Sequence, residues 1–157
     1  MQLRRFKQQD MDGLQYIYYN TIHSINSADY TPEELEAWAP SGEYTEERRQ
    51  KDIERFTRIN PFIVTEGGTP LGFAELEEKG YINCFFVHPE HQGRGIGSML
   101  LQACEDEAKR LGYTRMYAEV SITAKPFFLR QGFRVIKPQL CDIRGMMMKY
   151  YEMEKQI

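Results

Sequence analysis

Cysteine is scarce in this chain, and its few cysteines follow no metal-binding pattern. The 157 residues include three, Cys84, Cys104 and Cys141, with no CxxC pair and no ligand spacing. Such isolated thiols are typical of reduced core residues in a reducing compartment. The sequence therefore predicts neither a disulfide framework nor a metal site, and the cytoplasm is the expected location.

The chain also lacks a long apolar run and a strong excess of one charge. No stretch approaches the roughly 20 apolar residues of a membrane-spanning helix, and the first residues contain no apolar segment of signal-peptide length. The formal net charge is -3 at pH 7, which gives no overall attraction to nucleic acid or to anionic membranes. Neither is expected as a partner, so an anionic ligand would have to be held by a local site.

The residues that are present suit one folded domain. Hydrophobic residues make up 41% of the chain and charged residues 27%, which is typical of a globular protein. No linker, internal repeat or low-complexity tract divides the sequence. We therefore expect a single domain over residues 1–157.

Helical signals dominate the first third of the sequence. Apolar residues recur at helical spacing from residue 14 to residue 25. Thr31, Pro32 and Glu34 form a capping-box pattern that starts a second helix. A highly charged segment, residues 45–60, predicts a third helix that is largely solvated.

Strand signals follow. The runs "PFIVTE", "LGFAELE" and "YINCFFV" are separated by turn residues and predict a three-stranded antiparallel meander. A long amphipathic helix ending at Gly112, the strand "RMYAEV" and a short helix capped by Thr123 come next. Two final strands, near residues 133–136 and 144–149, complete the predicted order.

The segment "EHQGRGIGSMLL", residues 90–101, stands between the third meander strand and the long helix. Unpaired N–H groups at a helix N-terminus bind anions, and glycine lets an anion approach the main chain closely. The segment is therefore predicted to hold phosphate. It is not a P-loop, because Ser98 and Met99 follow Gly97 where that motif has Lys and Ser or Thr, and its glycine spacing is not that of the dinucleotide fingerprint.

Two motifs carry a resemblance to a known family. Gln92, Gly95 and Gly97 form the pattern Q-x-x-G-x-G after a strand that ends in Val-x-Pro. The segment "SITAKPFFLRQGF" is similar to a second signature, N-x-x-A-x-x-x-Y-x-x-x-G-F, with Ser121 at the Asn position and Phe128 at the Tyr position. Together they resemble the GNAT superfamily of acyl-CoA N-acyltransferases. The resemblance implies an α/β fold: a mixed, mostly antiparallel sheet with a splayed parallel strand pair, flanked by helices.

The resemblance implies acetyl-CoA as cosubstrate, and no histidine or cysteine spacing in the sequence suggests a metal. Backbone N–H groups of the glycine segment would hold the pyrophosphate, and the pantetheine arm would lie between the splayed strands. The residues implied in acetyl-CoA binding are Phe86, Val87, Gln92, Gly93, Arg94, Gly95, Ile96, Gly97, Ser98, Ser121, Lys125 and Phe128.

The implied activity is N-acetyltransfer to a primary amine of a small molecule or peptide, by direct attack in a ternary complex. The family often places a carboxylate base on the strand occupied here by "YINCFF", which has none, so Glu75 and Glu119 are the candidates. Phe128 replaces the usual tyrosine acid, which leaves Ser121, Tyr117 or water to protonate the thiolate. The first helices usually line the acceptor pocket, where Tyr30 and Trp38 are the candidates.

Two other functions remain open at this stage. The missing carboxylate and tyrosine also suit a non-catalytic module that senses acyl-CoA. The hypothesis of a nucleotide-binding module rests on the glycines alone and is disfavoured by the second motif. The sequence specifies neither the acceptor nor the oligomeric state, and it leaves a homodimer open.

Overall fold

The computed structural model describes residues 1–157 and is built around one mixed sheet of seven strands. The strands lie in the order β1-β2-β3-β4-β5-β7-β6, and every neighbouring pair is antiparallel except β4 and β5. This confirms the predicted fold class. The strands are β1 (Gln2–Arg5), β2 (Phe62–Glu66), β3 (Thr69–Leu76), β4 (Tyr81–Val87), β5 (Arg115–Ser121), β6 (Arg134–Ile143) and β7 (Met146–Gln156).

The parallel pair separates along its length. β4 and β5 are in register only at Tyr81 with Tyr117 and at Ile82 with Ala118. Beyond these residues β4 continues to Val87 and β5 to Ser121 without pairing. The sheet therefore contains a gap whose edges carry main-chain groups not bonded across it.

Helices cover both faces of the sheet. They are α1 (Met11–Ser24), α2 (Pro32–Trp38), α3 (Glu46–Ile59), α4 (Ile96–Arg110) and α5 (Lys125–Arg130). Buried residues of α1 and α3 cluster with Ile63, whereas those of α4 and α5 cluster with Val64. Because adjacent strand residues point to opposite faces, α1 and α3 lie on one face, and α4 and α5 lie on the other. None of the helices combines the length and apolar character needed to cross a membrane.

The local signals give most element boundaries correctly. Thr31 and Glu34 form the expected capping box at the start of α2. The predicted cap of α5 is wrong: Ser121 Oγ accepts from the N–H of Ala124 at 3.1 Å, and the Thr123 hydroxyl is buried without a partner. The last two strands are longer than predicted because they pair with each other along a long hairpin.

Candidate active site

A cavity of about 820 Å³ passes through the gap between β4 and β5. One end, called here the loop end, lies at the glycine segment and α5. The opposite end, the aromatic end, lies beside α1 and α2 and is lined by Tyr18, Trp38, Phe86 and Tyr150. Two ligands could therefore approach from opposite sides and meet in the gap.

The glycine segment presents free main-chain donors at the loop end. None of the backbone N–H groups from residue 92 to residue 98 donates a hydrogen bond to another protein atom. Gly93 and Gly95 have φ angles of 74° and 83°, and a Cβ atom built on either would meet nothing within 4 Å. Gly95 precedes α4, so the positive end of the helix dipole faces the same space. The segment is shaped to hold an anion.

Two side chains fix the shape of this segment. Gln92 Nε2 donates to the carbonyl oxygen of Val87 at 2.8 Å, which ties the segment to the end of β4. Gly97 lies against Phe127, because a Cβ at Gly97 would come within 3.1 Å of the ring. Any side chain at this position would require the Phe127 ring to shift by a few tenths of an ångström.

The charged side chains of Arg94 and Lys125 do not line the cavity, although the backbone N–H of Arg94 belongs to the glycine segment. The Arg94 guanidinium pairs with the Glu66 carboxylate at 3.0 Å and does not line the cavity. The Lys125 ammonium lies 4.1 Å from the centre of the Tyr151 ring, also outside the cavity. Arg130 lines the loop end instead. No sequence pattern indicates this position for Arg130, since a basic residue in the last turn of a helix is common.

Ser98 is linked to the residue that follows Arg130. Gln131 Nε2 donates to Ser98 Oγ at 3.1 Å, and both residues line the cavity. This bond connects the first turn of α4 to the end of α5. Arg130 therefore belongs to the same end of the cavity as the glycine segment.

The edge of β4 determines which amides face the gap. The N–H of His88 donates to the carbonyl oxygen of Leu71 on β3 at 2.8 Å. Since main-chain groups alternate in direction along a strand, the N–H of Phe86 also points toward β3. The N–H groups of Phe85 and Val87 point into the gap. The main-chain N–H groups expected to face the gap are those of Phe86 and Val87; in the structure those of Phe85 and Val87 face it. The Phe86 ring lines the aromatic end instead.

Ser121 lies at the end of β5, 7% exposed, and lines the cavity. Its Oγ accepts from the Ala124 N–H at 3.1 Å and from Asn26 Nδ2 at 3.4 Å. Because both partners are donors, the hydroxyl proton of Ser121 remains available to a ligand.

Phe128 is 3% exposed and forms part of the core as well as the cavity wall. Its ring meets those of Phe85 and Phe133 edge to face, at centroid distances of 5.4 and 5.0 Å. Phe128 supplies no proton at the position where the motif usually has tyrosine.

Tyr150 is a cavity residue that the sequence analysis missed. It lies opposite Ser121 in the register of β5 and β7 and lines the same cavity. Burial raises the pKa of its hydroxyl, which therefore keeps its proton at neutral pH. The run "MMMKYY" indicates a final strand but not which of its side chains reach the gap.

The two candidate carboxylates lie in different environments. Glu75 is 0% exposed, does not line the cavity, and accepts from both terminal nitrogens of Arg55 at 2.8 Å each. Glu119 lines the cavity, is exposed and forms no ion pair; the Cys141 thiol lies 3.9 Å from its Oε2. Of the two, only Glu119 faces the cavity.

The two aromatic candidates for the acceptor pocket also differ. Trp38 lines the cavity, whereas Tyr30 does not. The Tyr30 hydroxyl donates to the carbonyl oxygen of Lys149 at 2.6 Å and accepts from the Ile122 N–H at 3.0 Å. Tyr30 therefore supports the cavity wall by joining β7 to the end of β5, and its ring meets Trp38 edge to face at 5.7 Å.

Comparison with known proteins matches this geometry to one family. The family model for the acetyltransferase (GNAT) domain matches residues 26–155. The uncharacterized N-acetyltransferase YafP of Escherichia coli K12 is 32% identical over 145 residues, which cover 92% of this chain and 89% of that protein.

Solved structures show the same fold. A GCN5-related N-acetyltransferase from Rhodopseudomonas palustris superposes with a TM-score of 0.90 at 28% identity, covering 99% of this chain and 95% of that one. The PaiA N-acetyltransferase of Thermoplasma acidophilum, in complex with coenzyme A, has a TM-score of 0.74 at 20% identity, covering 99% and 98% of the two chains. With the splayed strand pair and the glycine segment in place, the chain belongs to the GNAT superfamily of N-acetyltransferases.

Proposed function

We propose that the protein transfers the acetyl group of acetyl-CoA to a primary amine of a small molecule or peptide, by direct attack within a ternary complex. The observation that carries this proposal is the single cavity that joins the anion-binding glycine segment to the aromatic end through the gap. Related folds support the choice of cosubstrate. PaiA of Thermoplasma acidophilum binds coenzyme A, and YncA of Salmonella typhimurium, 18% identical with a TM-score of 0.71, is solved with acetyl-CoA.

The loop end suits the diphosphate of the cosubstrate. Free N–H groups from residue 92 to residue 98 and the α4 dipole would hold the pyrophosphate, and Arg130 adds a positive charge to the same end. The pantetheine arm would then occupy the gap, bonded by the N–H groups of Phe85 and Val87. One of these N–H groups would stabilise the negative charge that develops on the thioester oxygen during attack.

The acceptor amine must lose a proton before it attacks. An alkyl amine with a pKa of about 10.4 is neutral in only about one molecule in a thousand at pH 7. Glu119 is the candidate base, acting directly or through water, because it lines the cavity and has no cationic partner. Glu75 holds Arg55 instead.

The departing thiolate needs little assistance. An alkyl thiol titrates near pH 8.5, at about the value of cysteine, so its thiolate is a tolerable leaving group. Ser121 Oγ is the nearest analogue of the motif residue and has a proton to donate. The protonated hydroxyl of Tyr150, opposite Ser121 on β7, is a second donor at the same place.

Steady-state kinetics test the proposal. Release of the CoA thiol is measured while acetyl-CoA and a panel of primary amines are varied together. Intersecting double-reciprocal lines support a ternary complex, whereas parallel lines would indicate an acetylated enzyme. Tight CoA binding with no amine-stimulated release would instead support the acyl-CoA sensor.

A matched pair of variants tests the base. Glu119→Gln should lose rate mainly at low pH, where the amine is most protonated, and much less at high pH. Glu152→Gln is the control, because Glu152 lies opposite Glu119 in the β5–β7 register but does not line the cavity. If both variants keep the wild-type pH profile, Glu119 is not the base.

A further inference from the structure

The aromatic end is an apolar box of fixed shape. Tyr18 meets Phe86 edge to face at a centroid distance of 5.2 Å, and Trp38 meets Tyr150 in the same way at 5.9 Å. The rings of Trp38 and Phe86 lie 6.5 Å apart. These four rings come from α1, α2, β4 and β7, so the box is assembled across the whole fold.

Hydrogen bonds hold Trp38 in place. Its carbonyl oxygen accepts from the Tyr18 hydroxyl at 3.2 Å and from Arg144 Nη1 at 3.3 Å. The same Arg144 nitrogen donates to the carbonyl oxygen of Ala37 at 2.6 Å. The hairpin between β6 and β7 therefore anchors the end of α2, and the box is preformed.

The charged side chains that line the cavity beside the box are of one sign. The charged residues that line the whole cavity are Glu119, Asp142 and Arg130. Arg130 belongs to the loop end, through Gln131 and its bond to Ser98. Glu119 and Asp142 lie on β5 and β6, beside Cys141, which packs against the cluster that contains Tyr150. The acceptor side of the cavity is thus lined by carboxylates and by no cation, because Arg144 donates to the carbonyl oxygens of Ala37 and Trp38 and does not line the cavity.

Two further guanidinium groups, those of Arg48 and Arg55, face a different space. A second cavity, of about 240 Å³, is lined by Arg48 and Arg55. Tyr18 and Cys84 line both cavities and form the wall between them. Arg55 is fully engaged by Glu75, which leaves Arg48 as the only one of the two without an ion pair.

We infer that the acceptor is a primary amine on an apolar, ring-sized group, and that amines with an adjacent carboxylate are rejected. This inference rests on the proposed function. The ammonium form is attracted by Glu119 and by the faces of the aromatic rings, and the apolar group is desolvated in the box. A carboxylate on the acceptor would lose its hydration without gaining a cation, and it would be repelled by Glu119.

Trp38 provides a readout that does not depend on turnover. It is the only tryptophan of the chain and it lines the box. We would titrate its fluorescence, in the presence of saturating CoA, with 2-phenylethylamine, phenylalanine and phenylalanine amide. The three ligands share one ring and one amine, and only phenylalanine carries a carboxylate.

The expected result is that 2-phenylethylamine and phenylalanine amide bind at least about tenfold more tightly than phenylalanine, a difference of about 1.4 kcal/mol. Arg48→Ala should leave all three affinities unchanged. Equal or tighter binding of phenylalanine, especially if Arg48→Ala abolishes it, would overturn the inference, and so would the absence of binding by both carboxylate-free ligands.

The same ligands separate this inference from the proposed function. If phenylalanine, or an amine without a ring, is the preferred acceptor in the thiol-release assay, the enzyme is an N-acetyltransferase and the inferred acceptor class is wrong. If no amine of any class releases thiol while 2-phenylethylamine still binds in the box, the proposed function fails and the inferred ligand class stands.

Discussion

Arg55 and Glu75 form a two-fold ion pair, in which each terminal nitrogen of the guanidinium donates to one carboxylate oxygen at 2.8 Å. The pair joins α3 to β3 and leaves Glu75 completely buried. Burial raises the pKa of the nearby Cys84 thiol, and the negative charge of Glu75 raises it further, while Arg55 acts in the opposite direction. The pair therefore has a structural role on the same face of the sheet as the aromatic end of the cavity.

Substitution of this pair should change stability rather than chemistry. Arg55→Met leaves a buried, unpaired carboxylate and should cost about 3 kcal/mol of unfolding free energy. Glu75→Gln should cost about 2 kcal/mol, since Arg55 is partly exposed and can be hydrated. Urea unfolding measures both. Below the unfolding temperature, Glu75→Gln should keep the wild-type pH profile of kcat; a selective loss of rate at low pH would make Glu75 the base.

The sequence predicts those structural features that depend on residues close together in the chain. The glycine segment, the start of α4 and the capping box of α2 are set by residues within one or two turns, and their positions are as predicted. The meander is likewise specified by its turn residues. The splay of β4 and β5 enters through the family resemblance, because no local pattern encodes where two strands stop pairing.

The sequence does not predict contacts between distant segments. Arg55 is 20 residues from Glu75, and nothing in "TEERRQKDIERFTRIN" distinguishes Arg55 from its exposed neighbours. Lys125 lies on the ring of Tyr151 because β7 is adjacent to β5, a pairing that depends on the whole sheet order. Tyr150 enters the cavity for the same reason.

The glycine segment can be tested with two equivalent glycines. Gly95→Glu should abolish CoA binding, because the new carboxylate fills and charges the anion site. Gly112→Glu is the control: Gly112 lies at the other end of α4, with a φ of 82° and nothing within 4 Å of a built Cβ, as at Gly95. Both variants bear a backbone strain of about 1–2 kcal/mol.

Isothermal titration with CoA distinguishes them. Gly112→Glu should bind as the wild type does, while Gly95→Glu should show no measurable heat of binding. Retained micromolar affinity in Gly95→Glu would contradict the assignment of the pyrophosphate site.

The three thiols should react at different rates in the native state. Burial raises the pKa of Cys104 to about 12 and also raises the pKa of Cys84. Cys141 has a smaller increase, from burial and from Glu119. Because the thiolate is the reactive form and must be accessible, alkylation at mildly alkaline pH should modify Cys141 first, and Cys104, which is 0% exposed, should react last.

CoA should change this order in a specific way. Cys84 and Cys141 line the cavity and Cys104 does not. CoA should therefore slow the modification of Cys141, as measured by peptide mass spectrometry, and leave Cys104 unaffected. Faster labelling of Cys104 than of Cys141 would contradict the packing of α4 against the sheet.

Glu154 should make stability dependent on pH in the acidic range. A hydrogen bond from Arg115, together with the charge of Arg134, lowers its pKa below the ordinary value of 4.5. A carboxylate with a lowered pKa in the folded state stabilises the protein above its unfolded pKa, and this stabilisation is lost as the pH falls through the folded pKa.

Thermal unfolding of Glu154→Gln measures this contribution. The variant should unfold at a lower temperature than the wild type near neutral pH, and the difference should shrink once the pH is below the folded pKa of Glu154. A difference that is the same at both pH values would show that Glu154 acts through packing and not through its charge.

Thermal unfolding with four ligands at equal concentration tests the central claim, that the glycine segment and the gap together bind CoA. A ligand present at 100 times its dissociation constant stabilises the folded state by about 2.7 kcal/mol. We predict that CoA and acetyl-CoA raise the unfolding temperature, and that NAD and ATP, which carry phosphates but no pantetheine arm, do not. A shift with NAD or ATP alone, or with none of the four, would contradict the account of the site and the acetyltransferase activity built on it.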